Sequence, residues 1–291
     1  MTEDLKNAVS DEFTAQGLDD GLLFPADGLI FVKHSRISTW TNTVYEPNVC
    51  LVLSGVKETR VGKDIFQIKA GHVLLVSHHL PVSSQVTKAT RESPYLAVVV
   101  KLDIPTLHSV ANQLDKMGRN RGGATSFAVD VVPEDLLETI HRYVRTARDH
   151  AAARILGPAQ FKELHFRLLI SSHGGMLLDL ISLDTHASKI AKSIQIINDD
   201  FKKPLSMTNL ARQVGMCTSA FYKHFKRITR MTPLQYQKQI RMHEAERFLT
   251  SGSASVTEAA FKVGYESLPQ FSREYSRKFG VSPKSLKRAG V

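Results

Sequence analysis

The sequence contains only two cysteines, Cys50 and Cys217, among its 291 residues. This is too few for a disulfide framework and is typical of proteins in a reducing compartment. No stretch approaches the roughly 20 apolar residues that a membrane-spanning helix requires. The acidic N-terminus, MTEDLKNAVSDEF, also lacks the apolar segment of a secretory signal. We therefore expect a soluble cytoplasmic protein without a membrane partner.

Acidic residues are scarce in the C-terminal third of the chain. Residues 189–291 hold 19 Lys and Arg against 7 Asp and Glu, whereas residues 1–188 hold 19 and 21. The net charge of +10 therefore arises entirely from the C-terminal part. A basic part beside a near-neutral remainder is expected when only one part contacts a polyanion such as DNA. The length predicts about two domains.

Short strands are predicted throughout residues 28–103, where Gly and Pro recur at short intervals and β-branched residues dominate between them. The nearly continuous apolar runs PNVCLVLSG (47–55) and YLAVVVKLD (95–103) predict central strands. Between them, the alternating run ETRVGKDIFQI predicts a hairpin around Gly62–Asp64. The pattern favours an antiparallel sandwich or a small barrel, which can hold one small molecule in its mouth.

The spacing of a metal site is absent from the histidines of this region, which are His72, His78 and His79. On a strand, His78 and His79 would point to opposite sides, and no His-X-His followed by a nearby Glu is present. We therefore expect no metal and no cofactor. For Cys50, in a predicted central strand, two roles are open: a buried apolar side chain, or a reactive thiol that senses an effector.

Helical periodicity replaces the strand pattern between residues 103 and 186. One helix is predicted after Pro133 and a second after Gly157-Pro158, from the spacing of Leu136, Leu137, Ile140 and Val144 and of Phe161, Leu164, Leu168 and Leu169. The stretch RNRGGATS (119–126) predicts a loop. The helix pair could pack on the barrel or on a second copy of the chain. Helical periodicity does not distinguish these alternatives, so a homodimer is one of two possibilities. We expect a first domain at 1–182 and a linker at 183–189.

Residues 190–291 contain a helix-turn-helix pattern twice, at about 206–227 and 256–277. Ala211, Val214 and Gly215 recur 49 residues later as Ala260, Val263 and Gly264. The positions after the turn recur 50 residues later, so the second turn carries one extra residue: Phe221, Lys223, Phe225, Arg227 and Pro233 become Phe271, Arg273, Tyr275, Arg277 and Pro283. A repeat of chemically matched positions indicates two copies of one structural unit.

Each unit has its own start, core face and outward face. In the first unit Ser206 and Thr218 are predicted helix caps, and Phe221, Phe225 and Ile228 share one apolar face. In the second unit the core face is Phe271, Tyr275 and Phe279. A helix of about 18 residues and 27 Å is predicted from Pro233 to the stop at 251–252. That length is compatible with two recognition helices one DNA turn, some 34 Å, apart.

The outward faces provide the candidate DNA contacts. Arg273 can donate two hydrogen bonds to guanine, although a phosphate contact is the alternative. For Lys223 the base and phosphate roles are balanced, because its ammonium is a point charge, and Tyr222 could contact a base or pack on the next helix. Ser219 shares their face. The remaining basic residues are predicted to contact phosphates: Lys226, Arg227, Arg277 and Lys278.

The two units resemble the DNA-binding domain of the AraC/XylS family of bacterial transcription regulators. The similarity lies in ARQVGM and FYKHFKRITRMTPLQY of the first unit and in AAFKVGYES and QFSREYSRKFGVSP of the second. The resemblance implies that the helices after the turns enter successive major grooves. By position it places six residues at the bases: Ser219, Tyr222, Lys223, Leu268, Pro269 and Arg273. Leu268 and Pro269 depart from the polar residues often found there, so base contacts by the second unit depend mainly on Arg273.

The N-terminal part resembles the AraC-type regulator N-terminal domain through YEPNVCLVLSG (45–55), GHVLLVS (71–77), LPVSSQV (80–86) and YLAVVVKLD (95–103). This resemblance implies a cupin-like antiparallel β-barrel with flanking helices, beside a C-terminal all-α domain. It also implies an effector-binding or dimerising role without metal.

These observations together predict a DNA-binding transcription regulator of the bacterial cytoplasm, associated with the nucleoid, and not an enzyme. Its expected partners are double-stranded operator or promoter DNA, a small-molecule effector and, if it activates, RNA polymerase. Two alternatives are open: a metal-dependent cupin enzyme fused to a DNA-binding module, and a constitutive DNA-binding dimer without effector.

Overall fold

The computed structural model describes residues 1–114 and 125–286. Most of the loop predicted at 119–126 lies outside these residues. The chain divides into two compact units, Met1–Ser188 with Ile228–Arg230, and Lys189–Arg227 with Met231–Val291. No helix of the described ranges is long and apolar enough to cross a membrane.

The first unit contains ten strands and five helices within its described residues. In chain order they are α1 (Thr2–Ala15), β1 (Gly21–Ala26), β2 (Leu29–His34), β3 (Thr41–Tyr45), β4 (Asn48–Ser54), β5 (Val56–Val61), β6 (Asp64–Lys69), β7 (His72–Val76), β8 (Leu80–Lys88), β9 (Tyr95–Lys101), α2 (Ile104–Gln113), β10 (Phe127–Val131), α3 (Glu134–Ala147), α4 (His150–Ile170) and α5 (Gly174–Ile181).

The strands form two antiparallel sheets rather than a closed barrel. One has the order β1-β2-β9-β4-β7-β10 and the other the order β3-β8-β5-β6. Cys50, Leu74 and Tyr95 of the first sheet share a core with Ile68 and Val86 of the second, so the sheets pack face to face. The predicted antiparallel class is confirmed, but the described strands include no pairing that joins the two sheets into a cylinder.

The two apolar runs form central strands, as predicted. Strand β4 lies between β9 and β7, and β9 lies between β2 and β4. All seven residues of β4 are buried. The hairpin is confirmed too, because Val61 pairs with Asp64 and Gly62, with φ +62°, occupies the two-residue turn.

Several elements were not predicted, namely α1, β1, β3, α2, β10 and α5. Helix α1 has an apolar stripe of Leu5, Val9 and Phe13, all fully buried. The strands β1, β3 and β10 lie at sheet edges and are short, so each carries a weak pattern. The placement of His78 and His79 on a strand is wrong: β7 ends at Val76, and both histidines lie in the connection to β8.

Helices α3 and α4 are the predicted pair and pack against each other within the first unit. Helix α4 begins earlier than predicted, because Asp149 caps it by accepting hydrogen bonds from the amides of Ala151 and Ala152. Pro158 therefore lies inside the helix instead of at its start. Proline lacks the amide hydrogen that would bond to the preceding turn, which makes an interior position unusual.

The second unit is helical throughout its described residues. Its helices are α6 (His186–Asp199), α7 (Met207–Gln213), α8 (Thr218–Thr229), α9 (Pro233–Thr250), α10 (Val256–Lys262), α11 (Leu268–Phe279) and α12 (Pro283–Leu286). Helix α9 has the 18 residues predicted for it and starts with a capping box between Thr232 and Gln235. Residues 186–189 are already helical, since α6 begins at His186.

Candidate nucleic-acid interface

The two helix-turn-helix units share one hydrogen-bond pattern in their turns. In the first, the amide of Gly215 donates to Arg212 O at 3.0 Å and that of Met216 donates to Ala211 O at 2.9 Å. In the second, Gly264 donates to Phe261 O at 3.0 Å and Tyr265 donates to Ala260 O at 3.0 Å. Each turn is thus a Schellman motif with glycine in the left-handed region, at φ +66° and +84°. The predicted repeat is confirmed at the level of individual backbone bonds.

The extra residue of the second turn is also present. Two residues separate Gly215 from the start of α8, and three separate Gly264 from the start of α11. Ser206 caps α7 as predicted, accepting from the amide of Asn209 at 3.4 Å. Thr218 is the first residue of α8 and not its cap, because Phe221 N bonds to Cys217 O and closes the first turn one residue earlier.

Helix α8 has one buried and one exposed face. Phe221, Phe225 and Ile228 are fully buried, as predicted, and Phe225 meets Tyr236 of α9 edge to face at 5.6 Å. The candidate DNA-contacting residues of this helix all lie on its exposed side: Ser219, Tyr222, Lys223, Lys226 and Arg227. Tyr222 is 40% exposed, so it does not pack into the core. Arg227 has its guanidinium 3.0 Å from Nδ1 of His224.

Helix α11 presents a narrower exposed surface. Its cap is Ser267, and Phe271 and Tyr275 are fully buried. Pro269, Arg273 and Arg277 are exposed. The exposed position of Arg273 leaves its guanidinium accessible to a groove of DNA.

Two candidates on α11 are placed differently from the others. Leu268 is half-buried and packs against the core of the second unit. Lys278 is also half-buried, with its ammonium 5.2 Å from the ring centre of Phe279. Burial lowers the pKa of Lys278 to about 8, against an opposing effect of Glu246. Its positive charge is therefore weakened near pH 8, which makes Lys278 a poorer phosphate ligand than Arg277.

Helix α9 contains positioning residues that the sequence analysis missed. The guanidinium of Arg241 donates to four backbone oxygens, those of Phe201, Lys202, Lys203 and Gly264, at 2.7 to 3.0 Å. Gln237, one turn earlier, donates to Phe201 O at 3.0 Å and Lys203 O at 2.7 Å. The turn before α11 is thereby tied to the segment after α6. No spacing signals this role, because the acceptors are backbone atoms.

The effector candidate Cys50 lines a cavity of about 450 Å³ in the first unit. Its side chain is 8% exposed, and burial raises the pKa of the thiol to about 11. The thiol therefore stays protonated at neutral pH, which favours the apolar role over the reactive one. The cavity is lined by residues of both sheets, among them Thr43 and Ile68 of one and Cys50 and Leu74 of the other.

The imidazole of His78 is hydrogen-bonded within the protein, whereas Nδ1 of His72 is buried without a hydrogen-bond partner among the described residues. Nε2 of His78 lies 3.1 Å from Ala187 O and Nδ1 lies 2.7 Å from Ser77 Oγ. Because a carbonyl only accepts, Nε2 donates and Nδ1 accepts, so neither nitrogen offers a free lone pair. Burial also lowers the pKa of His78 to about 4. Over residues 1–114 and 125–286, no group of three His, Cys, Asp or Glu side chains could hold a metal ion.

A domain of two antiparallel sheets, followed by two helix-turn-helix units whose second helices expose basic faces, defines a class of two-domain helix-turn-helix regulators. The comparisons with known proteins give the family. A profile of the AraC-type transcriptional regulator N-terminus matches residues 25–176, and one of a helix-turn-helix domain matches residues 210–289. The chain belongs to the AraC-type transcriptional regulators.

The transcriptional activators among the similar proteins match a little over a third of this chain. The transcriptional activator RhaS of Escherichia coli (strain SE11) is 25% identical over 107 residues, 37% of this chain and 38% of RhaS. The lactose operon transcription activator of Staphylococcus xylosus is 26% identical over 102 residues, 35% of this chain and 37% of that protein. The matched stretch thus spans less than two-fifths of these relatives.

Solved structures of ToxT from Vibrio cholerae share the fold over most of the chain. An apo variant gives a TM-score of 0.55 at 12% identity, covering 89% of this chain and 97% of ToxT. ToxT with an unsaturated fatty acid bound gives 0.56 at 12% identity, covering 88% and 94%. The likeness at this identity concerns the fold alone.

Proposed function

We propose that this protein is a sequence-specific DNA-binding transcription regulator that contacts two successive major grooves with α8 and α11. The observation that carries the proposal is the repeated unit itself: identical turn hydrogen bonds, buried aromatic faces, and exposed Lys223 and Arg273 at matched positions. A helix with an exposed basic and polar face fits the major groove. We assign base contacts to Arg273 and to Ser219, Tyr222 and Lys223, and phosphate contacts to Lys226, Arg227 and Arg277.

The first unit is proposed to bind a small-molecule effector in the cavity beside Cys50. A ligand changes the DNA affinity only by the difference between its affinities for the two arrangements of the protein. ToxT, which shares the fold, was solved with an unsaturated fatty acid bound, and this supports a small-molecule ligand for the present protein. We further propose domains at 1–182 and 190–291, and no catalytic activity.

Activation of transcription is the proposed outcome, because RhaS and the lactose operon regulator are activators. RNA polymerase is then the protein partner. A homodimer through the first unit would place two such DNA-binding domains on one promoter.

The test is selection of binding sites from a random duplex library with the full-length protein, followed by sequencing of the genomic DNA that it captures. We expect a site with two short elements whose centres lie about 10 base pairs apart, one helical turn of DNA. Enrichment of a single short element would contradict the proposal that α8 and α11 contact two successive major grooves. Failure to enrich any sequence at moderate salt would contradict sequence-specific binding altogether.

A further inference from the structure

The cavity between the two sheets contains a lysine that points inward. On β5, Thr59 and Val61 are fully buried, whereas Arg60 between them is exposed. Side chains alternate along a strand, so Lys57 lies on the same face as Thr59 and Val61. Lys57 accordingly lines the cavity of about 450 Å³ together with Cys50. An inward lysine on a core-facing strand position is unusual, since ammonium groups are rarely buried without a partner.

No carboxylate of the described residues pairs with this lysine. Its ammonium lies 5.4 Å from the ring centre of Tyr45, and the groups that act on it are the Tyr45 hydroxyl and the Cys50 thiol. Burial acts to lower the pKa of Lys57, but these two groups outweigh it, and the pKa is raised. Lys57 is therefore an ammonium ion at neutral pH and not a free amine nucleophile.

The acid in the cavity lining is already paired. Glu46 bonds to Lys101 at 2.7 Å, and both side chains are about half exposed at the cavity. Burial first, and then the charge of Lys57, lower the pKa of His34, so this histidine is a neutral hydrogen-bonding group. The interior of the cavity thus offers one positive charge that contacts Tyr45 but that no carboxylate of the described residues neutralises, beside neutral polar groups.

Much of the remaining lining is apolar, although Thr41, Thr43, Asn48 and Ser84 also line the cavity. The apolar part includes Val32, Val52, Ile68, Leu74 and Val99. A ligand that fits this surface has an apolar body, and a ligand that compensates the ammonium has a negative charge at one end. A neutral or cationic compound would leave the ammonium uncompensated.

We propose that the cavity binds a small amphiphilic carboxylate, with its anionic head on Lys57 and its apolar body between the two sheets. This proposal deepens the proposed function, since it names the chemical class of the effector. It depends on the position of Lys57 and on the charges around it.

The test is isothermal titration calorimetry of the full-length protein with two matched pairs of probes, octanoate with 1-octanol and 2-naphthoate with 2-naphthalenemethanol. We expect at least one carboxylate to bind about tenfold or more tightly than its alcohol, because a charge-assisted hydrogen bond is among the stronger single contacts. In Lys57→Met this preference should disappear. Lys69→Met removes the same charge from the exposed side of the neighbouring strand β6 and should retain the preference.

Equal affinity for carboxylate and alcohol, a preference that persists in Lys57→Met, or no binding of any of the four probes would each overturn the proposal. If Lys57→Met does not fold, as judged by circular dichroism, the comparison of carboxylate and alcohol affinities in the unmodified protein still tests the proposal. The experiment contains no DNA, so its outcome is separate from the site selection. Carboxylate binding without a selected DNA site would leave the cavity assignment intact and reject the regulator function.

Discussion

The carboxylate of Glu274 on α11 lies 2.8 Å from the ammonium of Lys238 on α9. The same carboxylate accepts a hydrogen bond of 2.5 Å from the hydroxyl of Tyr265 in the second turn. Although burial acts to raise the pKa of Glu274, these hydrogen bonds lower it overall. The acidic residue of α11 is thereby held against α9 and the second turn.

Glu274→Ala should destabilise the DNA-binding unit. It leaves the Tyr265 hydroxyl and the Lys238 ammonium without this partner. We expect the free energy of unfolding to fall by about 1–2 kcal/mol; the figure is kept low because Lys238 is 43% exposed and solvent screens its charge. Urea denaturation monitored by circular dichroism measures the change. Glu266→Ala removes an exposed carboxylate nearby and should change the free energy of unfolding by less than about 0.5 kcal/mol. Equal effects of the two variants would contradict a positioning role for Glu274.

Arg273→Ala should relax the base preference at one position of the selected site. A bidentate contact with guanine contributes about 1–3 kcal/mol of discrimination. Lys226→Ala should instead weaken binding to all sequences alike and reduce the slope of log affinity against log salt by about 1. Fluorescence anisotropy with the selected site, its single-base variants and random duplex measures both effects. An equal loss on specific and random DNA for Arg273→Ala would reject its base contact.

Gly264→Ala should destabilise the second unit far more than Gly215→Ala destabilises the first. Both glycines have left-handed φ values, which cost a residue with a Cβ roughly 1–2 kcal/mol. At Gly264 the new Cβ would also overlap the carbonyl oxygen of Lys202, whereas at Gly215 the nearest group is the Lys189 ammonium at 4.0 Å. We expect Gly264→Ala to lower the free energy of unfolding by more than about 3 kcal/mol, as measured by thermal or urea unfolding. Similar decreases in the free energy of unfolding for the two variants would contradict the predicted overlap with the Lys202 carbonyl oxygen.

The half-buried Lys278 should make stability depend on alkaline pH. Its pKa is lowered from 10.5 to about 8 in the folded protein, so the unfolded chain binds more protons between these values. The cost of burying the charge is therefore present below pH 8 and is relieved as the pH rises from about 8 toward 10.5, by at most about 1.4 kcal/mol per pH unit.

Urea denaturation of the unmodified protein and of Lys278→Met at pH 7, 8, 9 and 10 checks this. We expect the free energy of unfolding of the unmodified protein to rise relative to that of Lys278→Met above pH 8. The exposed Lys226→Met serves as the control and should follow the pH dependence of the unmodified protein. A constant difference between the unmodified protein and Lys278→Met would contradict the lowered pKa.

Much of the second unit was predictable because its signals are local. The cap Ser206, the spacing of Phe221 and Phe225, and the extra residue in the second turn depend on neighbours within a few positions. A helix satisfies its hydrogen bonds within its own segment, so sequence spacing suffices to place its buried and exposed faces.

Sequence patterns alone predicted the repeat, the central strands β4 and β9, and the outward position of Arg273. Other features depended on the tertiary fold: two facing sheets instead of a closed barrel, the edge strands, the carbonyl contacts of Arg241, and the position of the Lys57 ammonium in the same cavity as Cys50. The physical reason is distance along the chain. The partners of a strand or of a buried charge lie on other segments, and strand β10, for example, pairs with β7 from about 55 residues away.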